Sequence, residues 1–314
     1  MRLPVLVKVY PTWSRIGNGD TVGYRTGWSD TLMESVVVEE PSVAQGEPLL
    51  AAREVTIAFG GLRAVDGLSF DVPAGTIVSL IGPNGAGKTT VLNSLSGFVR
   101  ARGSVQFQGI ELLKQPAHRR ASLGIGRTFQ NLQLFSDMTL LENVLTGQHA
   151  RLGGNVLLDA LRFPMVAAER RARVEAMELL RYLGLERYAD RRAGALPFGI
   201  QKLAGMARAL AVRPTLLLLD EPAAGLNRQE ASTLGELIGE LAREFGLAVL
   251  LVEHNMRLVM GLSDHLVVMA EGRKLTEGTP AEVRRDPAVI AAYLGQGEHA
   301  VSDQEVQNEL SPRS

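Results

Sequence analysis

A chain of 314 residues is long enough for one large domain or two modest ones, each with an ample core. Lysine and arginine together number 33 against 34 aspartates and glutamates, so no net charge pulls the chain toward nucleic acid or anionic lipid. Cysteine is absent, which excludes disulfides and thiolate metal sites, and the five histidines (His118, His149, His254, His265, His299) show no metal-ligand spacing.

Residues 1 to about 50 differ from the rest. They hold both tryptophans, Trp13 and Trp28, but no sustained period of 2 or 3.6, and Pro, Gly, Asn and Asp interrupt them. They read as a flexible extension, or as a stretch preceding a natural start at Met33. No apolar run approaches the roughly 18–20 residues of a membrane span, and no basic-then-apolar leader opens the chain. The expectation is a soluble, cytoplasmic protein. Thr56 to Phe59, Leu68 to Val72 and Ser104 to Gln108 read as short strands of a small antiparallel sheet.

The apolar run Ile77 to Ile81 leads directly into Gly82-Pro83-Asn84-Gly85-Ala86-Gly87-Lys88-Thr89-Thr90. Strand, glycine loop and helix in that order wrap a polyphosphate. Glycines at 82, 85 and 87 let backbone N–H groups approach oxygens without Cβ clashes, and the helix starting near Lys88 adds its unpaired N–H groups. Lys88 reaches β- and γ-phosphates, and the Thr89 hydroxyl ligates Mg2+. A glycine-rich turn that binds nothing is the alternative. With every fixed position filled and a strand in front, the loop reads as a nucleoside triphosphate site.

From about Asp137 to Arg192 the pattern is mainly helical, with Val174, Met177, Leu180 and Leu183 at spacing three and Gly184 as a stop. Leu216 to Leu219 is an apolar run whose length alone suits a strand or a helix. It ends in Asp220-Glu221-Pro222, two carboxylates at the edge where parallel sheets bind ligands. Asp220 is placed to hold Mg2+ opposite Thr89, and Glu221 to deprotonate an attacking water. Asn227 with Glu230 forms a capping-box pattern. The helix that follows has Leu234, Leu237, Ile238, Leu241 and Phe245 on one face and Gly246 at its end. Leu247 to Val252 reads as a strand, Thr279-Pro280 and Asp286-Pro287 open two short helices, and residues 296–314 read as a disordered tail. Gln130 and His254 lie where a γ-phosphate sensor belongs, although position alone leaves them unassigned.

The loop at 82–89, Arg127-Thr128-Phe129-Gln130-Asn131, Leu216 to Asn227 (Leu-Leu-Leu-Leu-Asp-Glu-Pro-Ala-Ala-Gly-Leu-Asn) and Val-Glu-His-Asn-Met at 252–256 together resemble ABC-transporter ATPase subunits. More narrowly, these motifs, with Glu-Gly-Thr-Pro-Ala-Glu-Val at 277–283 and Ala-Tyr-Leu-Gly at 292–295, are similar to ATP-binding subunits of branched-chain amino-acid importers. The resemblance covers about residues 52–295. It implies an α/β fold: a P-loop NTPase (RecA-like) core with a small antiparallel β subdomain and an inserted α-helical subdomain at about 137–192, all within 51–295. It implies ATP and Mg2+ as cofactors, with Gly82 to Thr90 around the phosphates and Phe59 stacked on adenine, unless Phe59 is an edge-strand core residue. Glu221 is implied as the general base, Gln130 as a ligand of Mg2+ and the water, Asp220 and Thr89 as Mg2+ ligands, and His254 as the γ-phosphate switch.

The family signature is usually Leu-Ser-Gly-Gly-Gln; here it reads Leu196-Pro197-Phe198-Gly199-Ile200-Gln201. Pro197 removes the serine hydroxyl, while Gly199 and the following helix remain. Pro197, Phe198, Gly199 and Gln201 are implied to act in trans, on the nucleotide of a second ATP-binding subunit. Further implied partners are integral membrane permease subunits at the cytoplasmic face of the membrane, contacted by Leu132, Leu134, Phe135 and Met138, and indirectly a solute-binding protein. No nucleic-acid partner is expected. Two other readings stand beside this one. A phosphotransferase or GTPase on the same loop calls for a base-reading Asn-Lys-x-Asp, which is missing. A regulatory, non-transport ATPase would follow from the weakened signature.

Overall fold

The computed structural model describes residues 47–129, 133–152 and 162–294, and two short segments, β1 (Arg15–Ile16) and β2 (Gly23–Tyr24), that pair antiparallel. The rest of the expected N-terminal extension and the tail from 296 lie outside the described residues. Contacts divide the chain into two compact units: Glu47–Gln133 together with the chain from Pro214, and Leu134–Arg213.

The first unit holds two sheets. One is antiparallel, in the order β4-β3-β6-β7, built from β3 (Leu50–Phe59), β4 (Leu62–Val72), β6 (Arg102–Phe107) and β7 (Ile110–Glu111). Its first two strands are about twice as long as the sequence pattern suggests. The register of β3 against β4 shifts between Ala52 and Val55, with Glu54 at φ 50. That irregularity breaks the period of two in mid-strand, so the alternation is visible only on one side of it.

The second sheet has six strands in the order β12-β11-β5-β10-β9-β8: β5 (Ile77–Ile81), β8 (Ile125–Arg127), β9 (Leu216–Asp220), β10 (Ala248–Val252), β11 (His265–Ala270) and β12 (Arg273–Gly278). All pairings are parallel except β11 with β12. Every residue of β5, β9 and β10 is buried. That burial settles the four leucines as strand, since a surface helix would hide only one stripe of them. Val252 is level with Leu80 on one side and Asp220 on the other, so β9 and β10 end together and β5 runs one residue further. β8 is three residues long and β12 has no buried residue, so neither leaves a periodic trace in the sequence.

Helices α1 (Lys88–Leu95), α2 (Ala117–Ser122), α6 (Arg228–Phe245), α7 (Met256–Leu262), α8 (Pro280–Val283) and α9 (Pro287–Leu294) complete this unit. The capping box of α6 is formed: the Asn227 side chain accepts from the Glu230 N–H at 2.9 Å, and the Glu230 carboxylate accepts from the Asn227 N–H at 2.9 Å. Leu234, Ile238 and Leu241 are its buried face.

The second unit is helical: α3 (Leu140–Leu152), α4 (Arg162–Tyr182) and α5 (Phe198–Leu210), with α3 against both others. The stripe at strict spacing three matches the buried face only in part: Leu180 and Leu183 are buried and Met177 is half-buried. Val174 is 51 % exposed, whereas Ala172, Ala176, Leu179 and Leu180 are buried. At 3.6 residues per turn each step of three falls back by about 60°, so Val174 and Leu183 stand on opposite sides.

Leu250 sits in the middle of β10, fully buried. Leu250→Ala is expected to lower stability by about 2–5 kcal/mol in urea unfolding; a loss below about 1 kcal/mol would mean that this strand is not core.

Candidate functional site

The glycine loop leaves β5 at Ile81 and enters α1 at Lys88. Its shape excludes side chains at two points. Gly82 has φ 146, and a Cβ there would run into the carbonyl oxygen of Met269; Gly87 has φ 98, and a Cβ would strike the carbonyl oxygen of Ala64. Gly87 is also the N-cap of α1, and no side chain caps that helix. The first-turn N–H groups therefore lack a side-chain acceptor and suit an anion. Pro83, Asn84 and Gly85 form the partly open rim, Ala86 is buried, and Thr90 is half-buried behind Thr89. Behind the loop, Tyr293 of α9 packs against the buried cluster that includes Ile81 and Val259, and burial pushes its phenol up to about 12.

Lys88 is buried, and its ammonium donates to the carbonyls of Gly82 at 2.7 Å and Pro83 at 2.9 Å. Burial lowers its pKa, and the nearby Glu221 and Asp220 carboxylates oppose that shift. Its charge is held over the loop by carbonyls that a phosphate would outbid, because an oxyanion is the stronger acceptor.

Asp220 ends β9, 2 % exposed. The Thr89 hydroxyl donates to its Oδ1 at 3.1 Å, and Arg127 Nη2 donates to its Oδ2 at 3.2 Å. Burial raises the Asp220 pKa; Arg127 and Thr89 pull it back. Arg127 sits at the end of β8 and also donates to Ser96 Oγ at 2.9 Å and Asn93 Oδ1 at 2.7 Å, both near the C-terminus of α1. Its guanidinium lies 4.8 Å from the Phe129 ring centre. Arg127 opens the Arg-Thr-Phe-Gln-Asn motif, yet nothing in its position along the chain gives it a role. Its role emerges from the fold, where it is the buried partner that a buried aspartate needs.

Glu221 follows at φ 46, its N–H donating to the Val252 carbonyl at 2.8 Å. His254 Nδ1 lies 3.9 Å from Glu221 Oε2 and 3.9 Å from Glu253 Oε2, on an imidazole that is 61 % exposed. The level ends of β9 and β10 thus bring together two residues 33 positions apart in sequence. Phe59 stands at the end of β3, 51 % exposed, so its ring is not an edge-strand core residue. Gln130 lies outside the described residues, as does Leu132. In the helical unit Pro197 is the N-cap of α5, with no side-chain cap bond, and Phe198 is exposed. Gln201 folds back, its amide donating to the Leu196 carbonyl at 2.8 Å, and Gly199 is half-buried in the first turn.

A dinucleotide fold would place a glycine loop at a strand end too, but not a buried lysine over the loop together with a hydroxyl–carboxylate pair. A model of the ABC transporter family matches residues 65–224, and a model described as branched-chain amino acid ATP-binding cassette transporter matches 273–299. The chain belongs to the ABC-transporter ATPase family. It is 46 % identical over 254 residues to BraF, a high-affinity branched-chain amino acid transport ATP-binding protein of Pseudomonas aeruginosa, covering 79 % of this chain and 98 % of that one. Among solved structures, it is similar to the ADP conformation of an ATP-binding cassette of an ABC transporter (TM-score 0.70, 33 % identity, 80 % of this chain and 100 % of that one). It is also similar to a dimeric bacterial ABC transporter cassette (TM-score 0.64, 26 % identity, 74 % of this chain and 98 % of that one).

Removing one member of a buried ion pair strands the other. Arg127→Ala is expected to cost about 3–5 kcal/mol in urea unfolding, and Asp220→Asn in the same background to return part of it. Additive effects of the two substitutions would show that the pair is not coupled.

Proposed function

We propose that this chain is the ATP-hydrolysing motor of an importer for branched-chain or related hydrophobic amino acids. The observation that carries the reading is the convergence of Lys88, the Thr89–Asp220 pair and Glu221 at strand ends that finish within one residue of each other. The match of residues 273–299 to the branched-chain model supports the substrate class.

In this reading the backbone N–H groups of Gly82 and residues 84–90 and the Lys88 ammonium hold the β- and γ-phosphates, and the exposed Phe59 ring takes the adenine. Thr89 Oγ1 and Asp220 Oδ1, 3.1 Å apart, are two hard oxygen donors that fit one Mg2+, with Gln130 as a further ligand. The ion would supply neutralisation of charge on the phosphate oxygens. Glu221 takes a proton from a water as its oxygen bonds to the γ-phosphorus and the bond to the leaving ADP oxygen breaks. His254, beside Glu221, steadies the γ-phosphate.

The other side of that phosphate is met by a second ATP-binding subunit, of this sequence or a related one, through Pro197, Phe198, Gly199, Gln201 and the uncapped start of α5. The absent serine hydroxyl weakens that contact by about 1.5–3 kcal/mol, the worth of one hydrogen bond to a charged group. Helix α5 keeps its backbone donors. No described helix is long and apolar enough to cross a membrane. In this reading the work passes to permease subunits, which would place this chain at the cytoplasmic face. Phe135 and Met138 are exposed and suit that docking. They are held outward by buried Asn143, which accepts from the Phe135 N–H at 2.9 Å and donates to the carbonyls of Phe135 and Thr139 at 3.1 and 2.9 Å. A solute-binding protein would deliver cargo to the permease.

Lys88→Ala is expected to weaken ATP binding at least tenfold by calorimetry, the loss of a charge-assisted contact of about 1.5–3 kcal/mol. Glu221→Gln is expected to bind ATP as the wild type does, lower kcat by about 10²–10⁴ and accumulate as a closed dimer on size exclusion. Unchanged turnover would remove Glu221 as the base. Affinity capture in mild detergent from the native host is expected to return multi-span membrane proteins; their absence would count against the transport role.

A further inference from the structure

Among the described residues two carboxylates are buried, Asp220 and Glu253, and the reaction outlined above uses only the first. Strands β9 and β10 run level to Asp220 and Val252, and one more rung follows, from the Glu221 N–H to the Val252 carbonyl at 2.8 Å. Beyond it the two chains part. One enters the turn from Pro222 to Asn227, the other the segment 253–255 that starts α7. Glu253 closes the gap between them. Its Oε1 accepts from the Ala223 N–H at 2.8 Å, and its Oε2 accepts from the N–H groups of His254 at 3.0 Å and Asn255 at 3.1 Å. Three backbone donors from two turns therefore share one side chain that is 1 % exposed.

We propose that Glu253 is a positioning residue for ATP hydrolysis: it ties the turn after Glu221 to the segment bearing His254, and so sets the separation of those two side chains. The proposal rests on the roles given above to Glu221 and His254. Two features make the tie more than local capping. Each turn is anchored at the residue next to, or two beyond, a reacting group, so slack in the tie moves that group directly. The two turns also form one surface, because Leu226 and Asn227 from the first and His254 and Asn255 from the second line the same open cleft of about 850 Å³. Glu253 is acceptor-only while ionised, which suits three converging donors; an amide of the same shape offers one acceptor oxygen and a donor NH2. In Glu253→Gln the two N–H groups of His254 and Asn255 claim that oxygen, and the NH2 is left facing the Ala223 N–H. The substitution releases the turn after Glu221 while the strands stay intact.

The test measures steady-state ATP hydrolysis, ATP affinity and thermal midpoint of the full chain carrying Glu253→Gln, beside wild type and Glu221→Gln. The expected result is a kcat at least tenfold lower with ATP affinity within twofold of wild type. Backbone amide exchange should rise at Ala223 and not in β9 or β10. The expected loss is also non-additive: in a Glu221→Gln background, Glu253→Gln removes little further rate. A kcat within twofold of wild type overturns the proposal, as does a loss that merely follows ATP affinity or the folded fraction. If Glu221→Gln is itself fully active, the reading of the base fails instead, and the two failures are thereby told apart. Should the Gln chain not fold, exchange in the wild type decides: protection of the Ala223, His254 and Asn255 amides comparable with β10 supports the tie, and exchange as fast as an exposed loop overturns it.

Discussion

A carboxylate taken out of water must be matched by hydrogen bonds or opposite charge, and Asp220 is matched on both oxygens by different elements. Thr89 brings in the first turn of α1, and Arg127 brings in β8 together with the far end of the same helix. One buried group therefore fixes where the phosphate loop stands relative to the sheet. Burial nevertheless prevails and leaves the Asp220 pKa raised, with Arg127 and Thr89 opposing the shift and the neighbouring Glu221 adding to it. Under the proposed function this arrangement would serve Mg2+ binding, since the carboxylate is held in place before any ion arrives.

The parallel sheet supplies the second constraint. Strands β5, β9 and β10 are buried along their whole length, and apart from Ser79, whose hydroxyl is paired with that of Ser263 at 2.6 Å, their polar side chains stand at the ends. Because the ends are level to within one residue, the phosphate loop, the Asp220–Glu221 pair and His254 emerge along one edge. Edge loops leave the ladder and lose its hydrogen bonds, and the buried Glu253 carboxylate restores three of them. Glu221 itself sits at φ 46, a conformation costly for a side-chain-bearing residue, which the ladder rung to Val252 and the following turn hold in place.

The helical unit contributes chemistry of another kind. Its signature segment has lost a hydroxyl but kept a helix start whose N–H groups no side chain caps. Backbone donors cannot be mutated away while the helix stands, so the proposed phosphate contact there would tolerate Pro197 better than loss of a side-chain-only contact would be tolerated. The buried Asn143 that shapes the 135–139 turn serves a comparable end. It satisfies backbone groups locally and leaves Phe135 and Met138 turned outward.

Much of this protein is local in sequence. The glycine loop needs consecutive residues, the capping box of Asn227 and Glu230 needs a spacing of three, and buried parallel strands write themselves as unbroken apolar runs. Those features were legible at once, as were Lys88, Asp220 and Glu221 in their motifs. The strand lengths of the antiparallel sheet were hidden by register shifts, β8 by its brevity, and the buried face of α4 by the drift between a period of three and the helix's 3.6. The pairings of Arg127 with Asp220 and of Glu253 with Ala223 join residues 93 and 30 apart. No spacing rule connects such positions, because which strands become neighbours is decided by the packing of the whole sheet and not by any segment of it.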